Sequence, residues 1–242
     1  MSTNVSEVSL PTYLLMSKIH SIAYLIVAFV GWIGNGLMIA VTIRSKNLRA
    51  PSNILIAIQS ASDIISTSYL AVFPYFVFSE LFISSKVCFF FTMVPISAVE
   101  FSNWIVLFIA FDRFILTKFP LFHFKLDKKQ YVIGIVWFCL TYTVILKVLA
   151  YVFMEETSTT CFATGGLTGV INYVWFSCTG IVTVGVVVLY KAILTHSSSY
   201  SEEYRKISRA VKTILLFHVF GWCFTVMSSA LAIIFVSRQA NT

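Results

Sequence analysis

The sequence predicts an all-α membrane protein, a transmembrane helix bundle with six spans and its N-terminus outside. Three observations predict it. Of 242 residues, 58% are hydrophobic and only 11% are charged, where a soluble domain carries roughly a quarter charged residues. The apolar residues gather into runs of about the 20 residues needed to cross roughly 30 Å of hydrocarbon. Lys and Arg cluster in alternate connecting segments. The net charge of +7 brings nucleic acid to mind, but no basic stripe or basic-aromatic module accompanies it. The expected partner of this chain is the bilayer, and nucleic acid is not expected.

Six runs are visible in order: Ile19–Ile43, Ile54–Phe78, Val87–Phe111, Tyr131–Phe153, Val170–Leu189 and Ile214–Val236. The first contains GWIGNGL, whose Gly31, Gly34 and Gly36 are expected to allow close helix approach. The second and third contain Pro74 and Pro95, which kink membrane helices more often than they break them. No repeat, low-complexity tract or soluble domain interrupts the series, so one membrane domain is expected over 18–236. It would be preceded by an outer segment, 1–17, and followed by a short tail, 237–242. After Val236 only SRQANT remains, so a seventh span is expected to be absent.

The connecting segments set orientation. Segment 44–49 carries Arg44, Lys46 and Arg49. Segment 113–129 carries Arg113, Lys118, Lys125, Lys128 and Lys129. Segment 191–212 carries Lys191, Arg205, Lys206, Arg209 and Lys212. Together these hold 13 of the 17 basic residues, and the positive-inside rule places them in the cytoplasm. The first 17 residues contain no Lys or Arg, so the first span, not a cleaved leader, is expected to direct insertion. Asn4-Val5-Ser6 is a glycosylation sequon on the side expected to be outside.

Cys139, Cys178 and Cys223 lie within spans and read as small packing residues. Cys88 opens the third span on its outer side, and Cys161 lies in the outer loop between spans four and five. Both face an oxidising compartment, and the reading prefers a bridge between them to two free rim thiols. Such a bridge would contribute about 4 kcal/mol by the chain-entropy model.

Charges within the spans each ask for a reason, since one near the bilayer centre costs on the order of 3 kcal/mol on insertion scales. Asp63 stands among Ser60, Ser62 and Ser66, and Asn35 lies at similar depth in the first span. They form either a packing hydrogen bond or a buried ion- or water-binding node. Glu100 lies 12 residues beyond Cys88, about 18 Å along a helix, and Lys147 lies six residues from the outer end of span four. They could pair or line an outward-opening cavity. Their depths differ by several ångström, which argues against direct pairing.

From Cys88 to Arg113 is 25 residues, about 37 Å of helix, enough to cross the membrane with its headgroup borders. One helix thus joins an outer anchor to the pair Asp112-Arg113 in FIAFDRFILTKFP. With GNGL in span one, SD at Asp63 and Trp137 in VIGIVWF, the chain resembles the rhodopsin-like G-protein-coupled receptors. In finer features it is similar to the nematode serpentine chemoreceptors of the Srsx type. These are LRAPSNILIAIQSASDI, KVCFF, FDRFILTKFPLFHFKLDKKQY and FGWCF, and the likeness runs from about residue 18 to 236.

The resemblance implies a receptor that takes an extracellular ligand, a small molecule or a peptide, and engages a heterotrimeric G protein inside. It implies that Asp112 restrains Arg113 at rest, with Phe114 completing the triplet. The loop KFPLFHF would lie over the same surface, and Trp222 would be the aromatic toggle beneath a pocket containing Glu100 and Lys147. Phe114 stands where many relatives have tyrosine, Phe224 where most of the wider class has proline, and Val182 where a proline often precedes the tyrosine matched by Tyr190. A multi-pass place in the cell membrane is expected, the resemblance implying that of a sensory neuron, and no cofactor, metal or catalytic group is expected.

Other classes fit less well. A transporter or channel would place charged pore residues at matching positions in two halves, or carry an Arg-rich sensor helix. An intramembrane enzyme would need paired aspartates, HExxH or a Ser-His dyad. Asp63 has no such partner, and His20 and His218 read as border or packing residues. A non-signalling truncated receptor is the alternative within the same class.

Overall fold

The computed structural model describes residues 10–45, 50–79, 81, 83–156, 158–159, 161, 166–197 and 221. The expected sixth span with Trp222, Cys223 and Phe224, and the Asn4 sequon, lie outside them. The described chain is almost wholly helical: α1 Leu10–Arg44, α2 Pro51–Phe78, α3 Ser85–Lys118, α4 Pro120–Lys125, α5 Lys128–Val152 and α6 Val170–Ser197. Among the described residues, α1, α2, α3, α5 and α6 are long and apolar enough to cross a membrane. They match the first five expected spans, α5 ending at Val152, one residue before the expected Phe153.

The helices overrun the apolar runs at several ends because capping, not hydropathy alone, decides where they start. Pro51 and Pro120 occupy first-turn positions of α2 and α4, where the missing N–H costs nothing. The Ser84 hydroxyl accepts from the Val87 N–H at the start of α3. Asp127 Oδ1 accepts from the N–H groups of Lys129 and Gln130 at 2.9 and 3.3 Å, starting α5. Pro74 and Pro95 lie inside α2 and α3, which continue through both.

Helix α3 is the centre of the bundle. It packs against α2, α5 and α6 and is the most enclosed of the five long helices. One core cluster joins Leu55 of α2 to Phe101, Ile105 and Ile109 of α3 and to Val132, Ile135 and Cys139 of α5. Another joins Val106 and Ala110 to Val186, Tyr190 and Ile193 of α6, with Phe114 packed against it. Trp104, Phe138 and Tyr142 interlock edge to face across α3 and α5. Helix α1 packs along α2 and leaves most of its apolar surface outward. Trp137 is likewise exposed on α5, at 66%.

One expectation about packing is corrected. Among the described residues, a side chain added at Gly31, Gly34 or Gly36 would meet nothing within 4 Å, so no described helix approaches closely at these glycines. Close approach occurs elsewhere. A Cβ on Gly166 would stand 2.6 Å from Phe89 Cα, so the loop backbone is seated directly on α3. Gly169 has φ +61° and lies against Glu155.

That loop is fastened at several points. Cys88 and Cys161 form a disulfide with Cα atoms 5.3 Å apart. Strands β1, Ile83–Ser84, and β2, Ser158–Thr159, pair antiparallel with Ile83 opposite Thr159. Tyr69 of α2 donates its hydroxyl to the Cys161 carbonyl, Lys86 pairs with Glu156, and Thr168 Oγ1 accepts from the Glu155 N–H at 2.8 Å. The cysteine expectation is therefore met, and backbone and side-chain contacts tie the same loop down further.

Candidate functional site

The polar groups fall at three levels of α3. Nearest the disulfide end, Glu100 and Lys147 meet across α3 and α5, with Lys147 Nζ donating to Glu100 Oε1 at 2.5 Å. This corrects the expectation that their depths keep them apart. A lysine stem of four methylenes spans an axial offset of several ångström, and both side chains are buried, at 3% and 8% exposure. Carboxylate and ammonium compensate one another where either alone would be costly.

Beside Glu100 lies a crevice lined by Glu100, Asn103, Trp104, Tyr142, Cys178 and Thr179. It has room for about one water molecule. The second carboxylate oxygen, Oε2, and the Asn103 amide nitrogen have no hydrogen-bond partner among the described residues. Trp175 of α6 lies near the same carboxylate.

At the middle level Asp63 Oδ1 accepts from the Ser102 hydroxyl of α3 at 2.7 Å. Among the described residues no hydrogen bond joins Asn35 to Asp63, and Asn35 is half-buried on α1. The Asp63 link therefore runs from α2 to α3, not from α2 to α1. Ser62 and Ser66 return their hydroxyls to carbonyls of their own helix.

At the far end of α3, Asp112 and Arg113 are adjacent but take different partners. Asp112 is 1% exposed, and its Oδ1 lies 3.0 Å from His123 Nε2 on α4. Arg113 Nη2 donates to Asn53 Oδ1 of α2 at 3.2 Å. Among the described residues there is no Asp112–Arg113 ion pair, because successive residues of a helix point about 100° apart and do not face each other. Phe114 packs beside Tyr190 and under Lys118, whose Nζ lies 5.6 Å from its ring centroid. The segment KFPLFHF, expected as a loop over this surface, forms α4 and does fold onto α3.

His123, Asn53, Ser102 and Tyr69 were not singled out from sequence. His123 had a usable signal: it is the polar residue of an otherwise apolar PLFHF, four residues before the Asp127 cap. Asn53 and Ser102 carried none, since Asn and Ser near a helix end or beside a charged residue are commonplace.

No residues collect as a metal site among those described. Membrane-length helices around a central one, bridged to a loop at one end and bearing an acid–base pair at the other, make a membrane helix bundle. The chain matches the family model for serpentine-type 7TM GPCR chemoreceptors, Srsx, over residues 28–242. It belongs to that family, which is one of chemoreceptors and not of enzymes. No curated protein matches it.

Proposed function

We propose that the chain is a G-protein-coupled chemosensory receptor of the cell membrane, with the disulfide end of α3 outside and the Asp112-Arg113 end in the cytoplasm. The receptor domain spans 18–236 and crosses the bilayer six times, beginning from an outer N-terminus that carries the Asn4 sequon. A small molecule or peptide reaches the level of Glu100, Lys147 and Trp222 from outside. A heterotrimeric G protein meets Asp112, Arg113 and Phe114 inside. Asn35 and Asp63 belong to the polar network that connects the two ends.

The observation that carries this reading is the single continuous helix α3. It is 34 residues long, about 51 Å at 1.5 Å per residue, longer than the hydrocarbon it would cross. It carries the disulfide, the buried Glu100 and the Asp112-Arg113 pair in that order. A rearrangement at Glu100 has a rigid element through which to reach Arg113. The fastened outer loop suits the capture of a small ligand over the docking of a large protein.

The test is Arg113→Ala, assayed by nucleotide exchange on a panel of heterotrimeric G proteins while cells are exposed to pooled small molecules and peptides. Stimulated exchange is expected to fall to background with surface delivery unchanged. Stimulated exchange at the parent level in the variant overturns the assignment. Epitope tags accessible only on permeabilised cells at the N-terminus overturn the orientation.

A further inference from the structure

The ion pair between α3 and α5 uses only one of the two Glu100 oxygens. Lys147 Nζ donates to Oε1, and Oε2 is buried without a hydrogen-bond partner among the described residues. Asn103 stands three residues further along α3, on the same face of the helix. Its Nδ2 is likewise buried and without a partner among the described residues. The two side chains are 3% and 9% exposed. One offers a charged acceptor and the other a donor, and leaving either bare in a low-dielectric interior is costly. The indole of Trp175 approaches the same carboxylate from α6. Two carboxylate oxygens offer about four acceptor positions, however, and an indole N–H, which only donates, gives the Asn103 amide nitrogen nothing.

Both residues line the crevice that Tyr142 of α5 and Cys178 and Thr179 of α6 help to enclose. We propose that this crevice is a binding site for one water molecule. The water donates to Glu100 Oε2, accepts from Asn103 Nδ2 and takes the Thr179 hydroxyl, which can donate or accept, as its third partner. About three bonds are usual for a buried water, and a bridging water is nearly as good as a direct hydrogen bond. The space suits water and nothing larger. A metal cation is disfavoured there, because the Lys147 ammonium already compensates the carboxylate and repels a second positive charge.

The site joins three helices at one point. Lys147 reaches it from α5 by way of the ion pair, Glu100 and Asn103 from α3, and Thr179 from α6. Further along, α6 meets α3 through the apolar side chains of Val106, Ala110, Val186 and Tyr190. Apolar contact is non-directional, whereas a hydrogen bond weakens steeply when its angle is lost. The water therefore helps to fix the rotation of α6 against the charged pair. This site is a property of the bundle and stands apart from the proposed coupling to a G protein.

The test is radiolytic footprinting of the whole chain in lipid nanodiscs, read by mass spectrometry. An X-ray pulse makes hydroxyl radicals wherever water is held, and Cys178 and Tyr142 are reactive side chains lining the crevice. Cys139, buried among apolar side chains of α2, α3 and α5, is the dry reference with the same chemistry as Cys178. Phe153, exposed just past the end of α5, reports bulk water. A membrane-impermeant radical scavenger is expected to silence Phe153 while Cys178 and Tyr142 stay labelled well above Cys139. Asn103→Leu combined with Thr179→Val nearly keeps the packed volume but leaves the water one polar partner, fewer than the roughly two to four it needs. Labelling of Cys178 is then expected to fall roughly tenfold, the effect of losing both hydrogen bonds. Labelling of Cys178 no faster than that of Cys139 in the parent, or lost to the scavenger in step with Phe153, overturns the proposal. So does parent-level labelling in the double variant. Should that variant fail to fold, seen as labelling of Cys139, the scavenged parent decides alone.

Discussion

Replacing Lys147 by Met keeps an unbranched stem of similar bulk in the α3–α5 interface and removes only the ammonium group. Glu100 then loses the partner of Oε1, and Oε2 has no hydrogen-bond partner among the described residues to begin with. Two outcomes compete. The carboxylate can stay charged and buried, which costs about 3–5 kcal/mol when one partner of such a pair is removed. Alternatively the fold can take up a proton on Glu100, which costs about 3.7 kcal/mol at pH 7 for a carboxyl that ordinarily titrates near 4.3.

The cheaper route sets the expectation at about 3–4 kcal/mol at pH 7, a fall in Tm of roughly 6–15 °C for a chain of this size. The sign of the pH dependence follows. A fold that holds a proton the unfolded chain lacks gains stability as pH falls, by about 1.4 kcal/mol per unit. By pH 5 the loss should shrink to about 1 kcal/mol. The assay is thermal unfolding in detergent micelles, read by a thiol-reactive fluorophore as free cysteines such as the buried Cys139 become accessible. Adding Glu100→Gln to Lys147→Met removes the unpaired charge and should recover most of the loss. A Tm within 1 °C of the parent at pH 7, a loss that does not change with pH, or a double variant no better than the single one refutes the reasoning.

Glycine substitutions should divide sharply by position. Gly166→Ala drives a Cβ to 2.6 Å from the Phe89 backbone and should cost roughly 1–3 kcal/mol. Gly31→Ala meets nothing within a continuous helix and should be neutral or stabilising by up to about 1 kcal/mol; both are checked by the same thermal assay. Asp127→Ala removes the cap of α5 and should cost about 0.5–2 kcal/mol, seen as faster hydrogen exchange of the first α5 amides with the Asp112–His123 level unaffected.

Much of the architecture could be read in the chain before its structure. Five long helices appear where apolar runs of spanning length occur, because hydrocarbon leaves a backbone no alternative to satisfying its own N–H and C=O groups. The Cys88–Cys161 bridge was legible because both residues flank the same expected face and the remaining cysteines fall within spans. The pairing of Glu100 with Lys147 was misjudged by comparing Cα depths, whereas a lysine acts from the far end of its stem. The glycines of GWIGNGL were misjudged for a related reason: their spacing permits close approach but does not supply a neighbour. His123 stayed hidden because its role depends on α4 folding back onto α3, and residues 11 apart in sequence carry no mark of meeting.

By itself, then, the sequence determined that this protein lives in a membrane, where its helices run, and which few charges must have a reason to be there. Those properties follow from local hydropathy, charge and caps, each decided within about 20 residues. The tertiary structure alone decided which partner each charge takes: Lys147 for Glu100, Ser102 for Asp63, His123 for Asp112 and Asn53 for Arg113. Such pairings depend on how helices distant in sequence are rotated and set against one another, and a rotation of one residue, about 100°, exchanges one partner for another.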